Sequence, residues 1–294
     1  NRDRLQHSFE HDASGASLIV VTELQEPLRA LEALHGVLSV GRAATPAEIR
    51  AATRNWLGNG AARALGYAEI RRRDDIPVLE ARARADGLAD FRVFERPGGS
   101  IAERRSAGFD EQEVVAIRLL EPPAGTDLRL GLDALSLPSA PAAIARAVQT
   151  GRPAASDRLP PPEGSRKAPL VLVFQGVHDA RTEGSASVAE RRLSLRGVAF
   201  VAIDLEEHLQ RVVGAFPSHL ALCLVDAGAG GERRRLAGPA GCEAASGRLV
   251  HDRPLAFAGR QWGVRVLARE ADLPGRGDRS AFLFCLLGTA TASL

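Results

Sequence analysis

The chain has 294 residues, 45% of them apolar and 25% charged, a mixture that suits a soluble globular protein and excludes a disordered, collagenous or many-span membrane chain. Lys and Arg number 38 against 36 Asp and Glu, so a formal charge of +2 supplies no net field to gather phosphate backbones. Aromatic residues make up only 4%, too few for an interleaved base-stacking platform, and nucleic acid is not an expected partner.

At this length, domain-size arithmetic predicts two units. From Leu5 through Phe9, Leu24, Leu28, Leu31, Leu34 and Leu38, apolar residues recur mostly every three or four positions and predict a long amphipathic helix, which Pro27 kinks or interrupts. Such a helix leads out of a membrane, packs on a second copy or folds across its own domain. Thr45-Pro46-Ala47-Glu48 marks a fresh helix start, with a second helix running to about Asn59. A strand is predicted over 65–70, a helix over 74–85 ending near Gly87, a strand over 89–94, a buried strand over 114–120 and another strand over 128–132. A helix over 141–150 is stopped by Gly151, and the proline-rich stretch 151–169 is a long surface connection. Then come a strand over 169–177, a loop or exposed helix over 179–194, a buried strand over 197–203 and a helix over 205–213. Four short strands follow at 219–226, 234–237, 249–256 and 262–267. That order predicts an α+β fold of antiparallel sheets with helices on one side.

No methionine occurs, and Ala281 to Leu294 carries no charge. A membrane span needs about 20 apolar residues, so this run is expected to be the start of a transmembrane helix rather than a short buried one. Cys223 and Cys242 either pair in an oxidising compartment or pack as small buried hydrophobes, and Cys285 lies in the terminal apolar run. No C-x-x-C spacing supports zinc or a redox dithiol. His7 and His11 share a helix face, yet no glutamate or third ligand accompanies them, so no metal is expected. Phosphate-binding, dinucleotide and nucleophile-elbow motifs are absent, and the adjacent pairs Asp74-Asp75 and Glu206-Glu207 diverge on a helix. No catalytic residue and no cofactor are expected.

Four blocks in order resemble the CHASE family, the extracellular sensory domain of bacterial histidine kinases and diguanylate cyclases and of plant cytokinin receptors. They are Leu65-Gly66-Tyr67-Ala68-Glu69-Ile70 with Leu79-Glu80, Gly87 and Phe91-Arg92-Val93; then Gln112 to Ile117. After these come Leu130-Gly131-Leu132-Asp133 with Ser136, Thr150-Gly151 and Ser156, and last Gly197 to Asp204. The second block departs from the family pattern, with Gln112 and Val114 where the family often has tyrosine and proline.

The resemblance implies a long N-terminal helix (1–44), a membrane-distal PAS-like ligand-binding module (45–192), a membrane-proximal PAS-like module (193–278) and the start of a transmembrane helix (279–294). Val115, Ile117 and Leu119 would form the apolar floor of the ligand pocket, with Glu121, Ser156 and Phe174 as wall residues. The acid by which the plant receptors hold adenine would fall near Leu120 or Glu121, of which only Glu121 could do that job. Asp133 is expected to secure a turn by bonding backbone amides. The implied function is a small-molecule sensor, its ligand purine-like or otherwise, in a homodimeric membrane receptor at the periplasmic or extracellular face of the bacterial inner membrane. The competing expectation is a periplasmic protein–protein interaction module without a pocket.

Overall fold

The computed structural model of the protein describes residues 2–40, 46–57, 60–122, 126–165, 167–178, 187–228, 232–246 and 249–268. The expected N-terminal helix is two helices, α1 (Arg2–Glu23) and α2 (Glu26–Ser39). Pro27 falls in the first turn of α2, where its missing N–H costs no intrahelical bond. α3 (Pro46–Thr53) runs on into a 3-10 turn, Arg54–Trp56, before β1 (Ala62–Arg72). α4 (Ile76–Ala85) ends at Gly87, whose φ of 94° an L side chain rarely adopts.

The strands expected over 89–94 and 128–132 do not form. These segments meet at one parallel bridge, Phe94 with Leu132, and the Phe94 N–H donates to the Gly131 carbonyl at 3.0 Å. Between them lies α5 (Ile101–Ser106), which the apolar pattern does not announce; its start is set by Ser100, whose hydroxyl accepts from the Glu103 N–H at 3.1 Å. β2 (Glu113–Glu121), α6 (Ala140–Thr150), β3 (Ala154–Ala155) and β4 (Val171–His178) follow. Next are α7 (Val188–Leu193), β5 (Leu195–Ile203), α8 (Leu205–Val213), β6 (Leu220–Ala227), β7 (Arg233–Ala237), β8 (Val250–Phe257) and β9 (Arg260–Ala268).

The chain divides into two compact units. The larger comprises 21–208 with 255–262 and holds an antiparallel sheet of order β2-β1-β5-β4-β3. The strand expected to open the second module, β5, is therefore the middle strand of this first sheet. One face carries α6, whose Ile144 and Val148 pack with Ile117, Phe174 and Phe200 in a single core cluster. Each such side chain contributes roughly 1.5–3 kcal/mol by leaving water. α2 packs against β1, β4 and β5 through elements that bury Leu31, Leu34 and Leu38. α4 closes a smaller cluster of Leu79, Ala83, Phe91, Val114 and Ala116. At the sheet centre, a Cβ on Gly66 would stand 2.5 Å from the Leu119 carbonyl oxygen, so only glycine fits that crossing.

β2 carries a bulge. Tyr67 pairs with Leu119 but Ala68 pairs with Ile117, leaving Arg118 as the extra residue. The alternation reverses there: Val115, Ile117 and then Leu120, not Leu119, belong to the main core, while Val114 and Ala116 belong to the α4 cluster. Arg118 sits over the Phe91 ring at 5.4 Å and donates to Asp86 at 2.6 Å.

Among the described residues the smaller unit comprises 2–20, 209–254 and 263–268, and its strands belong to the sheet of order β7-β6-β9-β8. Cys223 on β6 and Cys242 form a disulfide, the first of the two alternatives left open by the sequence. Buried Arg265 gathers the segment beyond Cys242, donating to the carbonyls of Cys242 at 3.1 Å and Ala245 at 2.7 Å and to Asp252 at 2.7 Å. Arg253 donates to Ser17 at 2.9 Å and Ser14 at 3.3 Å, fastening α1 to β8. Among the described residues no helix is long and apolar enough to cross a membrane, and the run 281–294 lies outside them.

Candidate functional site

The site is organised by a buried acid. Asp133 has no exposed surface; its Oδ1 accepts the N–H groups of Val115 at 2.9 Å and Leu135 at 3.0 Å, and its Oδ2 accepts from Arg104 at 2.7 Å. The expected turn-securing role is present, together with an ion pair that the sequence did not announce. Burial pushes this carboxyl up, against the downward pull of the two amides and of Arg104. The result is a fixed connection between β2, α5 and the segment 128–137, which itself bonds to Ile117 of β2 through Gly131 and Leu132.

Two cavities open beside that segment. The first, about 300 Å³, is enclosed by loop 94–97, segment 127–132 and the connection 159–170. Leu132, Leu137, Leu159 and Leu170 line it, and Pro160, Pro161 and Pro162 stiffen one wall. The antiparallel bonds between Leu159 and Leu170, 2.7 and 3.0 Å, close the base of the connection. Arg96 crosses the wall by donating to the Pro160 carbonyl at 3.0 Å, and its own N–H is held by Ser136 at 2.8 Å. Phe94 lines the cavity while 42% exposed, an aromatic ring left open to solvent. An apolar chamber with a few charged groups, here Glu95, Arg96, Asp127 and Arg129, suits a small organic ligand.

The second cavity, about 210 Å³, is lined by charge: Arg73, Glu95, Arg104 and Glu111, with Ser100 and Ile101. Glu95 borders both cavities. Its Oε1 accepts from Arg73 and, at 3.5 Å, from Arg104, and the Arg73 hydrogen bond holds its carboxyl below the usual carboxylate range.

None of the six residues expected from sequence to touch ligand lines either of these cavities. Val115, Ile117 and Phe174 lie together in the core beneath α6. Leu119 is half-buried beyond the bulge, away from that stripe. Glu121 pairs with Arg50 of α3 at 3.0 Å. Ser156 is buried with its hydroxyl engaged by backbone, accepting from the Leu172 N–H at 3.0 Å and donating to the Asp157 carbonyl at 2.7 Å. The residues of the apolar cavity come instead from loops, and the charged cavity adds Ile101 and Arg104 of α5. Their only sequence signals were the triple proline and the Ser100-x-x-Glu103 spacing.

No curated protein matches the chain in sequence. Among solved structures it is similar to the periplasmic sensory domain of the Campylobacter jejuni chemoreceptor Tlp1, at 8% identity, covering 93% of this chain and 96% of that one with a TM-score of 0.52. It is also similar to a structure described as methyl-accepting chemotaxis protein X, at 15% identity, covering 91% and 99% with a TM-score of 0.53. These likenesses define the class of fold, α+β with two sheets that follow N-terminal helices in the chain. The model of the CHASE domain matches residues 42–236, and the chain belongs to the CHASE domain family of extracytoplasmic sensor modules.

Proposed function

We propose that the chain is the small-molecule sensor of a membrane-anchored signalling receptor, a histidine kinase or a cyclic-di-GMP enzyme, acting as a homodimer at the outer face of the inner membrane. The observation that carries this reading is the 300 Å³ cavity in the larger unit, apolar inside and charged at its border. In this reading the larger unit is the membrane-distal, PAS-like, ligand-binding one. A ligand acts by binding one receptor arrangement better than another, because equal affinity for both would shift nothing.

Contact with Val115, Ile117 or Phe174 would require α6 to lift from the sheet, so variants separate the two locations for the ligand. Ala168→Phe extends a ring into the cavity from a half-buried position on its wall. Thermal-shift screening against purines, amino acids and small organic acids should find a compound that raises Tm in the wild type and not in Ala168→Phe. A stabilising compound that acts equally on both proteins would place the ligand elsewhere. A screen without any hit would favour the interaction module.

A further inference from the structure

The charged cavity holds chemistry that the apolar one does not use, and its fixed groups are cationic. Arg104 is 6% exposed and is anchored by Asp133 at 2.7 Å, with the Glu113 carbonyl at 3.4 Å. Arg73 donates through Nε to the Glu111 carbonyl at 2.8 Å, which fixes its guanidinium from the other side. The movable groups are the acids: the side chains of Glu95 and Glu111 are 47% and 57% exposed. Two guanidinium groups from different elements thus converge on one oxygen, Glu95 Oε1. Guanidinium forks match the two oxygens of a carboxylate, and a group held in place before binding loses less entropy than a mobile one.

The geometry leaves room for a better partner than Glu95. Its contact to Arg104, 3.5 Å, is at the outer limit of a hydrogen bond, so the tethered acid satisfies Arg73 and only grazes Arg104. A cationic ligand finds no equivalent. Asp133, the buried anion behind Arg104, already serves two amides and Arg104 itself. At the lip, Ile101 is 60% exposed and offers apolar cover for a short carbon chain. A volume of about 210 Å³ is below the 300 to 1,000 Å³ typical of pockets for drug-sized ligands, which limits the occupant to a few carbons.

We infer that this cavity binds a small carboxylic acid between Arg73 and Arg104, and that Glu95 occupies the place of the ligand carboxylate in the empty protein. Binding exchanges one carboxylate for another and releases Glu95 from its arginines. Because Glu95 also borders the apolar cavity, the acid changes the wall of that chamber as it enters. The inference rests on the sensor reading for its purpose and not on an occupant of the apolar cavity.

The test is isothermal titration calorimetry of the full chain with acetate, pyruvate and succinate, with succinamide and inorganic phosphate alongside, in wild type, Glu95→Gln and Arg73→Gln. Both substituted side chains are more than a third exposed, and matching wild-type and variant circular dichroism confirms folding. At least one acid should bind, and Glu95→Gln should tighten it about three- to tenfold by removing a competing surface ion pair. Arg73→Gln should weaken it about tenfold or more by removing one side of the fork, and succinamide should not bind. The inference is overturned if no acid binds wild type or Glu95→Gln. It is equally overturned if either substitution leaves the affinity of the acid unchanged, or if phosphate or succinamide binds as tightly as the acid. None of these failures touches the Ala168→Phe result, which concerns the other cavity.

Discussion

Asp133→Asn isolates the interaction that holds the site together. Asparagine can keep Oδ1 in place for the amides of Val115 and Leu135, so both backbone bonds survive. At the other end an N–H₂ replaces Oδ2 and faces the Arg104 guanidinium at 2.7 Å, donor against donor. Arg104 is then a buried cation with only long contacts, the Glu113 carbonyl at 3.4 Å and Glu95 at 3.5 Å. Removing one partner of a buried ion pair costs about 3–5 kcal/mol, against a whole-domain stability of about 5–15 kcal/mol. Asp133→Ala should cost more, because it also orphans two buried N–H groups at about 1–3 kcal/mol each. Arg104→Met in the Asp133→Asn background should recover part of the loss, since the stranded charge is gone. Urea unfolding followed by tryptophan fluorescence reads the relevant unit, because Trp56 and Trp262, the only two in the chain, both belong to the larger one. A loss below about 1 kcal/mol for Asp133→Asn would mean that the carboxyl is neutral in the folded protein and would refute the ion-pair account.

Three further outcomes follow from the geometry. Gly66→Ala should prevent stable folding of the larger unit, since the new Cβ meets backbone at 2.5 Å; a soluble variant with wild-type Tm would contradict the described crossing of β1 and β2. Replacing Cys223 and Cys242 by alanine opens a closure spanning 19 residues and should cost about 3 kcal/mol, read by hydrogen exchange in β6 and β7, where unchanged protection would argue against the disulfide. The Glu95–Arg73 pair is stabilising while Glu95 is ionised, because its folded carboxyl lies below the unfolded 4.5. That contribution is present above pH 4.5 and is lost as pH falls through the lowered folded value. Glu95→Gln should therefore cost under about 1 kcal/mol at pH 7, and the difference from wild type should vanish in acid; a gap that widens below pH 4.5 would reverse the sign.

The regular elements were legible because their signals are local. Gly151 takes φ 68° where the sequence placed the end of α6, and the apolar runs became β2, β4 and β5 with small shifts at their ends. The misses have physical causes. Alternation over 89–94 and 128–132 records which side chains turn inward, but their backbones pair only at isolated bridges, Phe94 with Leu132 and, next to it, Asp133 with Ala116 of β2, too few for a strand. The assignment of β5 failed differently, since nothing local says that a strand 74 residues after the end of β2 returns to pair with β1.

The candidate site was less legible than the fold. Counting every second residue along β2 gives Val115, Ile117 and Leu119, but the bulge at Arg118 turns the strand and substitutes Leu120 in the core. A bulge adds one residue without changing composition, so periodicity cannot announce it. The cavity walls are loops whose residues, among them Phe94, Leu132 and Leu159, lie tens of positions apart. Their convergence depends on the Asp133–Arg104 pair, which joins residues 29 positions apart.

The most direct measurement is a crystal structure of the chain bound to the compound that raises its Tm. The compound should lie between loop 94–97 and the Pro160–Pro162 wall, with Val115, Ile117 and Phe174 still packed beneath α6. Density for it against those three side chains with α6 displaced, or on an outer surface with the 300 Å³ chamber unfilled, would contradict the account.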